Sequence, residues 1–316
     1  MTTASWTDLD LFPLALGGNV FGWTADEAQS FAVLDAYAAA GGNHVDTADS
    51  YSHWLPGNSG GESETIIGNW MKARGNRDQI LVATKAGRFD RLTAPNIRTF
   101  AEDSLRRLQV DQIDLLYAHE DHREVPLEES LGAFDALVKE GKVRAIGASN
   151  FTPARLAEAL EVSAREGFAP YVALQPYYNL VERRNVAEIP FEGPLQDLAV
   201  AERIDVFPFF SLAMGFLAGK YRPGGETVES ARAEGAAAYL DLPRGPAVLA
   251  ALDEIAAAHS TSVAAVALAW LLAQPGISAP IASARTPEQL AELLPVATLR
   301  LADDELAALT EASETV

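Results

Sequence analysis

The chain contains no cysteine, which removes disulfides, thiolate catalysis and sulfur-ligated metal at once and suits an intracellular protein. Basic side chains are scarce: 24 Lys and Arg stand against 44 Asp and Glu, a formal net charge of -20 over 316 residues and a pI near 4.6. That balance argues against nucleic acid, whose phosphates need clustered Lys and Arg to replace their counterions. Any anionic ligand must be held by a local basic patch. No apolar run approaches the roughly 20 residues that cross a bilayer. The longest, Val263 to Ala273, predicts a buried helix capped by the hydroxyls of the preceding Ser260-Thr261-Ser262. The first residues, Met1 to Asp8, have neither a basic start nor a leader-length apolar stretch, so the expected location is cytoplasmic. No Gly-x-Gly-x-x-Gly follows the first strand; Gly17-Gly18-Asn19-Val20-Phe21-Gly22 has the wrong spacing for a dinucleotide-binding turn. No linker rich in Gly, Ser or Pro divides the chain, and residues 1–316 read as one domain.

What is present is a rhythm. Eight short apolar or β-branched runs, Leu14 to Leu16, His44 to Thr47, Ile80 to Lys85, Ile113 to Tyr117, Val143 to Ala148, Val172 to Gln175, Ile204 to Phe209 and Ser278 to Ala282, predict strands. Between them lie segments of helical period, among them Ala25 to Ala40, Glu62 to Ala73, Ile97 to Leu108, Leu127 to Lys139 and Pro153 to Glu166. Thr152-Pro153 and Thr286-Pro287 place a capping hydroxyl before a proline suited to the first helical position. Eight strand-helix units in a chain with 48% hydrophobic residues predict an α/β fold, a (β/α)8 TIM barrel with an extra C-terminal helix. Arg222 to Pro246, after the seventh strand, reads as one long irregular loop of the kind that carries function.

In such barrels the chemistry comes from the C-terminal ends of different strands. Three successive runs close on a titratable side chain: Asp46, Lys85 and His119. Tyr51 follows Asp46 by five residues and can return over the barrel mouth. A free tyrosine has a pKa of about 10 and seldom exchanges a proton at neutral pH. An ammonium beside it favours the phenolate, and a buried carboxylate keeps the ammonium charged. Asp46, Lys85 and Tyr51 therefore form a coherent relay, with a lowered phenol pKa, and His119 can hydrogen-bond the oxygen on which negative charge develops. Singly, each has an ordinary reading: a loop cap, a surface lysine, a half-exposed ring, a core imidazole. Joint placement on consecutive strands favours a site.

With these residues in place the chain resembles the aldo-keto reductases from about Leu14 to Leu309. The marks are Asp46-Thr47-Ala48-Asp49-Ser50-Tyr51 with Gly61-Glu62-Ser63-Glu64 and Ile67-Gly68; Thr84-Lys85; and Asp114-Leu115-Leu116-Tyr117-Ala118-His119. Further along come Gly141-Lys142-Val143-Arg144-Ala145-Ile146-Gly147-Ala148-Ser149-Asn150, Gln175-Pro176-Tyr177-Tyr178-Asn179 and Gly215-Phe216-Leu217-Ala218-Gly219-Lys220-Tyr221. The resemblance implies an NADP(H)-dependent oxidoreductase that reduces small aldehydes or ketones to alcohols. Its catalytic tetrad falls on Asp46, Tyr51, Lys85 and His119, with Tyr51 as general acid.

By the same resemblance Ser149, Asn150 and Gln175 hold the nicotinamide amide, and Phe209 stands where many members stack a tyrosine beneath the ring. Ser211, Leu212, Gly215, Lys220, Ser283, Arg285 and Gln289 line the phosphates and adenosine, while Leu293 replaces an asparagine found in many members. Independently of the family, Ser283 to Gln289 lies after the eighth strand, where barrels bind phosphate; Arg285 offers a planar fork and Lys220 a second charge. Trp23 and Trp54, in loops after early strands, are the candidate substrate-pocket rings, with Asn19 and the Arg222 to Pro246 loop as further shaping elements. His119-Glu120-Asp121-His122 has the look of a metal site, but no further His or Cys ends a neighbouring strand, and no metal is expected. Two other readings share the fold: a sensor that binds NADP(H) with weak turnover, and an NAD-dependent polyol or sugar dehydrogenase.

Overall fold

The computed structural model describes residues 10–184, 189–225 and 228–314, so the leaderless reading of Met1 to Asp8 falls outside it. Eight strands, β1 Ala15–Gly17, β2 His44–Asp46, β3 Leu81–Ala86, β4 Ile113–Ala118, β5 Val143–Ser149, β6 Tyr171–Gln175, β7 Asp205–Val206 and β8 Ile281–Ala282, lie side by side in the order β7-β6-β5-β4-β3-β2-β1-β8. Every neighbouring pair is parallel. The ends meet where Ser278 N donates to Val206 O and Ile281 N to Pro208 O, both at 2.9 Å, which closes the sheet into the anticipated barrel.

Helices α1 Glu27–Ala39, α2 Glu62–Arg74, α3 Ala94–Leu108, α4 Leu127–Lys139 and α5 Pro153–Glu166 follow the first five strands, near their anticipated bounds. The capping signals act as read: the Thr152 side chain accepts from Arg155 N at the start of α5. Further on come α6 Pro194–Ala201, α7 Ala233–Ala237, α8 Arg244–His259, α9 Val263–Leu272, α10 Pro287–Leu293 and α11 Asp303–Ser313. Ser262 caps α9, the apolar run, which is buried and packs on α8 and α10. The additional C-terminal helix is α11, packed on α8. Among the described residues no single helix is long and apolar enough to cross a membrane; α8 and α9 together have the length but meet at 98°.

The core has two shells, set by the two-residue period of a strand. Ala83, Leu115, Tyr117, Ala173, Phe207 and Ile281 fill the barrel interior, while alternate residues such as Val82, Leu116, Ile146 and Leu174 pack outward against the helices. The inward face carries on to the C-terminal rim. Lys85 follows Ala83 by two residues, Gln175 follows Ala173 by two, and His119 follows Tyr117 by two. The polar rim is thus the top layer of the column that fills the barrel.

Three expectations change. The seventh and eighth strands are shorter than their apolar runs because Pro208 and Pro280 interrupt them, and a residue without an N–H cannot extend a ladder. Phe209 therefore lies beyond β7, held by a bridge to Tyr177. Arg222 to Pro246 is only partly irregular: its alanine-rich half forms α7 and a 3-10 turn at Ala238–Asp241, and α8 begins at Arg244. Alanine's strong helix propensity accounts for the difference.

Candidate active site

β2 ends on Asp46, β3 carries Lys85 one residue before its end, and His119 comes directly after β4. Side chains from three adjacent strands therefore converge on one rim. Lys85 Nζ donates to Asp46 Oδ2 at 2.7 Å, to the Thr47 carbonyl at 2.8 Å and to the Tyr51 hydroxyl at 2.9 Å. An ammonium has three protons, and all three are engaged. The hydroxyl oxygen of Tyr51 is an acceptor from Lys85, which leaves its own proton directed elsewhere. Lys85 is 1% exposed and Asp46 2%, so the ion pair is dry. The second carboxylate oxygen, Asp46 Oδ1, accepts from Gln175 Nε2 at 2.8 Å. The imidazole of His119 faces the Tyr51 ring edge-on, with centroids 6.4 Å apart.

Burial dominates the acidities. It pulls Lys85 down, but Asp46 and Tyr51 outweigh it and the net shift is upward, so the ammonium stays charged. Burial raises Tyr51 above its ordinary 10.0, with Lys85 pulling the other way and losing. The sequence-based expectation of a lowered phenol pKa is therefore reversed: desolvation of the phenolate exceeds the attraction of an ammonium already shared with Asp46. His119 is driven well below its ordinary 6.5, first by burial and then by Lys85 and Arg88. The site presents a neutral phenol, a charged lysine and a neutral imidazole.

The rim opens into a cavity of about 500 Å³. Asp46, Tyr51 and His119 line it, and Lys85 lies behind them. All eleven residues singled out for a cofactor line it as well: Ser149, Asn150, Gln175 and Phe209 near the tetrad, then Ser211, Leu212, Gly215, Lys220, Ser283, Arg285 and Gln289. Ser149 Oγ donates to the Gln175 carbonyl at 2.9 Å, and Asn150 Nδ2 to the His119 carbonyl at 2.8 Å, so β5, β6 and the tetrad are tied together. Phe209 stacks on Tyr177 at 5.4 Å. Gln289 Oε1 accepts from Arg285 N at 3.0 Å, which sets the loop that carries Arg285. Among the described residues, neither Lys220 nor Arg285 has a carboxylate partner within 4.0 Å. Burial and then the charge of Arg285 lower the pKa of Lys220.

Trp23 and Trp54 line the same cavity and meet edge-on at 5.1 Å, with Trp54 in turn 6.5 Å from Tyr51. Three of the eight described non-glycine residues with positive φ, Asn150, Phe210 and Met214, also line it. Such backbone is uncommon and tends to gather at functional sites. Side chains that sequence reasoning did not single out include Phe210, Met214, Arg88, Phe89 and Arg232. The last lies in the Arg222 to Pro246 segment, whose lack of periodicity offers no signal for which residue turns inward.

The cluster that resembled a metal site is dispersed: His122 Nε2 bonds the Gly87 carbonyl at 2.8 Å, Glu120 pairs with Arg88, and Asp121 with Arg155 at 2.9 Å. Glu64 has a structural task. It accepts from Thr84 Oγ1 and from Arg107 Nε at 2.6 Å, locking α2 to β3 and α3 beneath the Tyr51 loop.

The family model for the Aldo/keto reductase family matches residues 13–314. The chain belongs to that family. Relatives include the uncharacterized oxidoreductase YrpG of Bacillus subtilis, 33% identical over 91% of this chain and 88% of that protein. Aldo-keto reductase YhdN of the same organism is 33% identical over 88% of this chain and 81% of its own length. Norsolorinic acid reductase stcV of Emericella nidulans is 30% identical over 93% and 76%. Membership makes this aldo-keto reductase an oxidoreductase of small-molecule carbonyl compounds, in a family that generally uses nicotinamide cofactors.

Proposed function

We propose that the chain is an NADP(H)-dependent carbonyl reductase in which Tyr51 is the general acid. One observation carries the reading: Lys85 donates its third N–H hydrogen bond to the Tyr51 oxygen, so the phenolic proton is free for a substrate oxygen in the cavity. When bound, the nicotinamide supplies a hydride to the carbonyl carbon. Tyr51 gives its proton to the carbonyl oxygen, and Lys85 stabilises the phenolate left behind until solvent restores the proton. The neutral imidazole of His119 donates a hydrogen bond to the same oxygen as its charge grows.

The residues present fit the dinucleotide. Lys220 and Arg285 are mutually repelling cations on the cavity wall, an arrangement that an anion relieves. A Cβ added at Gly17 would lie 2.6 Å from Ser283 Oγ and 3.0 Å from Ile281 Cγ2, so a larger residue there would displace the Ser283 side chain that lines the cavity. Arg285, with its planar fork, is the residue assigned to the 2'-phosphate. The test is consumption of NADPH against a panel of aldehydes and ketones, run in parallel with NADH. Turnover with NADPH supports the reading; equal rates and affinities with NADH, or no consumption with any carbonyl, overturn it.

A further inference from the structure

The net charge of -20 makes the charge lining the cavity unexpected. Its walls carry four basic side chains, Arg88, Lys220, Arg232 and Arg285, and one acid, Asp46, which is already paired with Lys85. Arg88 pairs with Glu120. Lys220 and Arg285 neighbour each other electrostatically. Arg232 stands apart from that pair, on the cavity wall near Tyr51.

The guanidinium carbon of Arg232 lies 5.2 Å from the centre of the Trp23 ring and 5.0 Å from that of Phe210, over the face of each. Trp23 is braced by Trp54, and Phe210 by Tyr177 and Phe209. The rings hold the cation but cannot accept its in-plane N–H hydrogen bonds. No described residue accepts a side-chain hydrogen bond from it, and no described carboxylate pairs with it. Among the described residues, the donors of this guanidinium are unused. The side chain is half-buried, and burial lowers its pKa, with Tyr51 opposing.

We propose that Arg232 is a specificity-determining residue that binds a carboxylate on the carbonyl substrate, so that the preferred substrates are aldehydes or ketones bearing a carboxylate. This rests on the reductase reading and adds the substrate class. A planar carboxylate matches the guanidinium edge bidentately. The position beside Tyr51, Trp23 and Phe210 puts that contact at the reacting end of the cavity, apart from the Lys220 and Arg285 pair.

The experiment compares 4-carboxybenzaldehyde with its neutral amide, 4-carbamoylbenzaldehyde, in wild type, Arg232→Met and Arg232→Lys. Wild type is expected to favour the carboxylate by tenfold or more in kcat/KM. Arg232→Met should reduce that ratio at least tenfold through KM, and Arg232→Lys should restore part of it. A ratio unchanged by Arg232→Met overturns the proposal. So does an equal fall for both aldehydes accompanied by weakened NADPH binding, which would make Arg232 a cofactor phosphate ligand. Calorimetric titration of 4-carboxybenzaldehyde into protein with NADP+ decides the point without turnover. Carboxylate binding weakened at least tenfold by Arg232→Met supports it even if no carbonyl is reduced and the reductase reading fails; no preference for the carboxylate over the amide sinks it while leaving the reductase reading intact.

Discussion

Lys85 Nζ donates to the hydroxyl of Tyr51 across 2.9 Å from a position fixed by Asp46 and Thr47. The contact determines which way a proton can move. With its oxygen already accepting from the ammonium, Tyr51 is poised to donate its own hydrogen, and the positive charge behind it favours the phenolate formed afterward.

Replacing Tyr51 by Phe removes the proton and keeps the ring. Turnover of an aldehyde with NADPH should fall about 100- to 10,000-fold, the usual contribution of a positioned acid, while fluorescence titration shows nucleotide binding retained. Near wild-type NADPH oxidation in the variant means another group supplies the proton.

The Asp46 and Lys85 pair is buried, so breaking it from one side leaves an uncompensated charge. Lys85→Met should cost about 3–5 kcal/mol of stability, the range for an orphaned partner of a buried pair. The double variant Asp46→Asn with Lys85→Met should recover much of that loss in thermal denaturation and none of the activity. Full stability in the single variant would mean that water reaches Asp46.

The pH profile separates the roles. His119 is held neutral well below 6.5 and Tyr51 is held protonated above 10.0. The kcat/KM for reduction should therefore be level through the neutral range and fall on the alkaline side as Tyr51 loses its proton. An inflection near 6.5 that disappears in His119→Phe would show that the imidazole charges in the free enzyme.

Asp49, two residues before Tyr51, is raised from 3.8 to about 7, by burial first and by Glu64 second, with Arg107 opposing. The native state therefore holds this proton more tightly than the unfolded chain. The destabilisation is absent below the unfolded pKa, grows as pH rises from 3.8 toward about 7, and is constant above that. Asp49→Asn should raise Tm relative to wild type at pH 8 and leave it little changed at pH 4. An increase of the same size at both values would show that the carboxyl does not titrate in this window.

Arg285→Gln keeps a hydrogen-bonding side chain and removes the charge assigned to the 2'-phosphate. Titration with NADPH and NADH should show the preference for NADPH narrowing about tenfold or more, with NADH affinity changing less. An equal loss for both nucleotides would place Arg285 away from the phosphate that distinguishes them.

Local pattern was enough to read the barrel and the members of its centre. Parallel strands alternate their side chains with a period of two, so an apolar run ending in Asp46, Lys85 or Gln175 announces both the buried wall and the polar rim above it. The capping threonines and the apolar α9 are equally local. The tertiary structure alone decided the rest. The phenol pKa of Tyr51 depends on how much solvent the folded cavity removes, a quantity no spacing encodes, and the direction of the shift was reversed. Arg232 sits in a segment without periodicity and became visible only when distant loops brought Trp23 and Phe210 against it. The sequence by itself determined the scaffold and the strand-end positions of Asp46, Lys85 and His119, because strands and their alternation are local; the acidity of Tyr51 and the setting of Arg232 between two rings arise from burial and long-range packing, which only the closed barrel supplies.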